Sequence, residues 1–133
     1  MLIMIKRNKI IYWVATLWLS LGMVSTGIVQ IMQIDEEVAM MHRLGYPGYF
    51  LTLLGVWKLL GVIAVLMPKW PLLKEWAYAG FFFSMSGALI SHAAVGDPAS
   101  EFFGPGLLLV LTGVSWAFRP GDKKFMSVNP SLV

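Results

Sequence analysis

The chain has 133 residues, 58% of them hydrophobic and only 13% charged, and its mean hydropathy is +0.74. A soluble domain carries roughly 25% charged residues, so this composition points to an integral membrane protein, with no length to spare for a soluble catalytic domain. The net charge of +3 does not argue for nucleic acid, because the basic residues flank apolar stretches where an anionic membrane face explains them; the lack of cysteine excludes thiol nucleophiles, disulfide exchange and cysteine-ligated clusters or zinc.

Residues 1–9 read as a short tail carrying Lys6, Arg7 and Lys9. The apolar run 10–32 is too long for a signal core and has no small-residue cleavage site, so it predicts a retained span. Its residues Thr16, Ser20, Gly27 and Gln30 share one helical face, which should point inward. The segment DEEVAMMHRLG, residues 35–45, predicts a short amphipathic helix at the membrane surface. Asp35 can cap it, with Glu36 and Glu37 wet in its first turn. Val38, Met41 and Leu44 form its apolar side, Met40 and Met41 are read as membrane-facing, and Gly45 ends it.

Residues 48–67 form the second predicted span, with Lys58 near its middle. A lysine at that depth costs about 2.5–3.5 kcal/mol on insertion scales, so something inside the protein must receive it. The turn 68–73 carries Trp70, an interfacial residue type, and Pro71 suits the first turn of the next helix. The third span, 71–94, shows a small-residue stripe of Gly80, Ser84, Gly87 and Ser91, which predicts close helix packing. The fourth span, 101–118, is interrupted by Gly104, Pro105 and Gly106, which predicts a kink or a late helix start. The tail 119–133 is basic at its start, and its ending, SVNPSLV, reads as disordered.

The expected fold is therefore all-α: a single membrane domain forming a transmembrane four-helix bundle, with an interfacial helix between the first two spans. Lys6, Arg7, Lys9, Lys69, Lys74, Arg119, Lys123 and Lys124 lie in the two tails and the middle turn, whereas Asp35, Glu36, Glu37, Asp97 and Glu101 lie in the other two loops. The positive-inside rule then places both termini in the cytoplasm.

Heights along the helices allow a polar column of Glu75, Lys58, Ser84 and His92. One reading is a structural Lys58–Glu75 ion pair that locks two helices; the other is a proton, ligand or quinone site built on the same groups. His92, Asp97 and Glu101 gather at the outer face, where capping and solvation explain them better than a metal does. Trp57 is placed to contact Lys58 or simply to pack. Phe81, Phe82 and Phe83 point in all directions around their helix, so part of the cluster faces lipid. No self-sufficient catalytic constellation is visible.

The segments LGYPGYF, LGVWKLLGVIAVLMPKWPLLKEWAYAGFFF and GALISHAAVGDP closely resemble the DoxX-like family of small four-helix bacterial membrane proteins, over residues 13–119. The resemblance implies that Lys58, Glu75, His92 and Asp97 are family-typical positions. It also implies that Ser84 replaces an acidic residue found in some relatives, leaving Lys58 without a second partner. The family name derives from a subunit linked to thiosulfate:quinone oxidoreduction. The implied role is an accessory or quinone-interacting subunit of a redox system in the bacterial inner membrane, with lipid, a quinone or a redox protein as partner. A small transporter or lipid-binding protein, a structural scaffold, and a homo-oligomer remain open alternatives.

Overall fold

The computed structural model describes Leu2–Lys123. It contains five α-helices and no strand among these residues: α1 (Leu2–Ile31), α2 (Asp35–Leu44), α3 (Tyr49–Leu66), α4 (Pro71–Ala94) and α5 (Phe103–Ala117). Two of them, α1 and α3, are long and apolar enough to cross a membrane. The first helix begins at Leu2, not at residue 10 as expected; lysine and arginine are good helix formers and extend it by two turns. Pro71 occupies the first turn of α4. Gly45 ends α2 with φ +85°, and its N–H bonds to the carbonyls of His42 and Met41. Asp35 does not cap α2. It lies inside the first turn with Glu36 and Glu37, after Ile34, and no side chain caps that end. The glycine–proline interruption produces a late start: a 3-10 turn at Ala99–Phe102 precedes α5. The SVNPSLV ending lies outside the described residues.

Helix α1 packs against α3 and α5, and α4 packs against the same two, so the four longer helices form a ring. The expected inward face of α1 is inward: Thr16, Ser20, Gly27 and Gln30 are all buried. The backbones of α1 and α3 approach closely at Gly27 and Gly55. A Cβ on Gly55 would stand 2.6 Å from the Gly27 carbonyl oxygen and 2.6 Å from the Ile31 side chain, so only glycine fits there. The stripe on α4 does not play that part. A Cβ on Gly80 or Gly87 would meet nothing within 4 Å, so these positions border open space.

Leu19, Met23, Val62, Val65, Phe81, Met85 and Leu111 belong to one apolar core drawn from all four helices. A buried polar knot ties three of them together: the Ser115 hydroxyl lies 2.6 Å from that of Thr16 and 2.7 Å from the Tyr78 phenol. Outside the core, Val14, Leu17, Trp18, Leu21, Trp57, Leu60, Ile63, Phe82, Phe83, Ile90 and Val110 are exposed. That apolar belt surrounds the ring, and Phe81 is the one buried member of its triplet.

The two ends of the ring differ in charge. At one end the start of α1, the α3–α4 turn and the end of α5 meet. Lys123 sits 5.4 Å from the centre of the Trp13 ring, and Arg119 pairs with Glu75 at 2.7 Å. At the other end α2 and the α4–α5 turn meet through Arg43 and Asp97 at 3.1 Å.

Candidate functional site

A cavity of about 470 Å³ opens between α2 and the ring. Helix α2 forms its roof through Glu37, Met40, Met41 and Leu44, the i, i+3, i+4, i+7 face of one helix. Met40 and Met41 thus line the cavity. Glu37, expected to be wet, turns inward. Of the expected Val38–Met41–Leu44 face, Met41 is buried and the other two are half-buried, and Glu37 joins Met41 and Leu44 on the cavity lining.

That cation is Lys58. Only 7% of it is exposed, and its ammonium donates to the Thr26 hydroxyl at 3.1 Å. Thr26 in turn donates to the Gly22 carbonyl at 2.9 Å, which leaves its lone pair aimed at the lysine. The negative charge acting on Lys58 is that of Glu37. The expected Lys58–Glu75 pair does not form. Glu75 binds Arg119 at 2.7 Å and accepts from the Trp116 indole at 3.0 Å. The reason lies in helix direction. Side chains lean toward the N-terminus of their own helix, and α3 and α4 run antiparallel. Lys58 therefore leans toward the α2 end and Glu75 toward the opposite end. Trp57 points outward and is 59% exposed.

Ser84 and His92 do share the cavity with Lys58. His92 is 4% exposed and donates from Nδ1 to Asp97 at 2.6 Å. Asp97 also takes the Arg43 guanidinium, with Nε and Nη2 each at 3.1 Å from its oxygens. Arg43 sits at the end of α2, so this carboxylate fastens the roof to the α4–α5 turn. Tyr46 adds a second fastening to Ser91 at 2.6 Å. Glu101 lies at the cavity lining. The polar column thus splits: Lys58, Ser84 and His92 meet at one cavity, Asp97 stands behind His92, and Glu75 belongs to the other end.

The hydrogen bond from His92, then the Arg43 contact, hold the Asp97 carboxyl below the usual carboxylate range. A depressed carboxyl stabilises the fold above its unfolded pKa of about 4, and that contribution is lost as pH falls through the lower folded value. The gap in melting temperature between the wild type and Asp97→Asn should be constant from about pH 5 to 8 and close below about pH 4. A gap that persists unchanged into acid would show that Asp97 does not hold the roof as a carboxylate.

Two residues that sequence reasoning passed over are central to the packing. Thr26 lies four residues before Gln30, a spacing that could have flagged it. Lys74 is 1% exposed, and its ammonium donates to the carbonyls of Ala64 at 2.8 Å, Val65 at 2.9 Å and Met67. It closes the C-terminal end of α3, where carbonyls lack intrahelical partners and the dipole favours a cation.

The family model described as the DoxX-like family matches residues 14–115. The chain belongs to the DoxX-like family. The match extends from the first helix to Ser115 of the polar knot, so it takes in all the elements that build the cavity of this DoxX-like protein. No curated protein and no solved structure matches the chain.

Proposed function

We propose that this DoxX-like protein spans the bacterial inner membrane four times and holds a small amphipathic molecule with its polar head at Lys58. A quinone is the leading candidate, which would make the protein an accessory subunit of a membrane redox system. One observation carries the reading: a largely apolar cavity with a single buried ammonium, oriented by Thr26 and approached by Ser84 and His92. Mostly apolar walls with a few converging polar groups are the usual form of a small-molecule site. A charge retained at such depth without a salt-bridge partner is costly, and function is the default explanation.

The exposed apolar belt on all four long helices supports the four-span arrangement, although α4 carries Lys74 and Glu75 near its start. The charge asymmetry of the two ends supports cytoplasmic termini. Reporters fused after Val133 and within residues 35–45 should report opposite compartments; the same compartment for both would overturn the topology. The cavity also supports a second reading, a carrier of a lipid-like molecule, and weighs against a pure scaffold.

Native mass spectrometry of gently extracted protein separates these readings. The wild type should retain a molecule of quinone or lipid mass, and Lys58→Met should lose it. Bare protein in both samples, or equal retention, would overturn the site. A retained phospholipid would favour the carrier.

A further inference from the structure

Lys58 stands at a junction. Together with Leu54 and Ser84 it lines not only the roofed cavity but also a second hollow of about 470 Å³ between α3 and α4. Apart from Lys58 and Ser84, that hollow is lined by apolar residues, among them Leu60, Ala64 and Ala77. Trp57 and Trp76 flank it and are 59% and 63% exposed, so its rim reaches the apolar belt. On the α4 side Gly80 leaves space that a side chain would occupy, since a Cβ there meets nothing within 4 Å. A hollow between α4 and α5 differs: it shares only Phe83 with the roofed cavity and contains Glu75.

The charges in the roofed cavity indicate the head group. The lining carries two acids, Glu37 and Glu101, beside the single ammonium of Lys58, while Arg43 is turned away to Asp97. An anionic head would add to that negative excess. A neutral head with an accepting oxygen can take the ammonium donors that Thr26 leaves over.

We propose that the α3–α4 hollow seats the single long hydrocarbon chain of a neutral-headed amphiphile whose carbonyl or hydroxyl head binds Lys58. The molecule enters sideways from the bilayer between Trp57 and Trp76. The inference rests on the cavity reading above and adds a chain subsite and a class of ligand.

Two benzoquinones, one with a methyl and one with a decyl substituent, serve as probes on the purified full chain in nanodiscs, read by tryptophan quenching. The wild type should bind the decyl form at least about tenfold more tightly. Gly80→Leu should erase that preference and change methyl-form binding by less than about twofold, with Gly80→Ala in between. Leucine favours a helix over glycine, so folding is not at risk, and the melting temperature checks this. A decyl preference that survives Gly80→Leu overturns the chain subsite, as does a wild type that binds neither probe or both equally. Lys58→Met separates the two levels. If it weakens both probes while Gly80→Leu changes nothing, the cavity reading stands and the chain subsite falls. If it changes neither probe while Gly80→Leu erases the preference, the hollow binds chains and the head-group reading falls.

Discussion

Lys74→Met is expected to destabilise the protein by about 3 kcal/mol or more, since each carbonyl left buried without a donor costs about 1–3 kcal/mol. The Lys74 ammonium satisfies carbonyls of Ala64, Val65 and Met67 at the end of α3, and methionine can fill the volume but donates nothing. The α3–α4 turn also carries local strain. Trp70 sits there in the left-handed region at φ +70°, a conformation that costs a bulky residue about 1–3 kcal/mol. Release of the lysine should therefore open this turn first. Thermal melting in detergent measures the loss, and limited proteolysis should cut near residues 67–70 in the variant before the wild type. A loss below about 1 kcal/mol would mean that the carbonyls find other donors.

Lys58→Met is expected to do the opposite to stability while removing ligand retention. An ammonium with no salt bridge carries its desolvation penalty largely uncompensated, so its replacement by an apolar side chain of similar length should be neutral or stabilising. Lys58 has a neutral hydroxyl as its hydrogen-bond partner, and Thr26 keeps its own bond to Gly22 after the change. Glu37, half-buried on α2, can take up water. A residue that costs stability yet organises a cavity is the signature of a functional site. Glu75→Gln should act independently. The pair with Arg119 is only 12% and 27% exposed, so the loss should exceed the ~1 kcal/mol of a surface pair, and the double variant should be additive within about 0.5 kcal/mol. A marked loss of stability in Lys58→Met, relieved by Glu75→Gln, would restore the structural clamp between α3 and α4.

Much of the fold was legible because it depends on local pattern. The apolar runs, the αL glycine at Gly45, the helix-opening Pro71 and the polar face of α1 follow from length, backbone freedom and helical period. What escaped depends on how each helix is rotated about its axis, which packing decides. Lys74 reads as one more basic residue of a loop until the end of α3 is seen folded over it. Glu37 reads as a solvated first-turn acid until α2 is laid across the cavity. Lys58 and Glu75 have compatible heights, but the lean of side chains along antiparallel helices sends them apart. Gly80 and Gly87 share a stripe with Ser84 and Ser91, a pattern that cannot tell a tight helix contact from a cavity wall.

The most direct measurement is to map where a bound quinone lies. A benzoquinone carrying an azide, photolysed on the extracted full chain and mapped by peptide mass spectrometry, should label cavity residues such as Met41, Phe50 and Met85, and Lys58→Met should remove that labelling. Labels confined to the outer belt, on residues such as Trp18 and Val110, and unchanged by Lys58→Met, would contradict a binding site at Lys58.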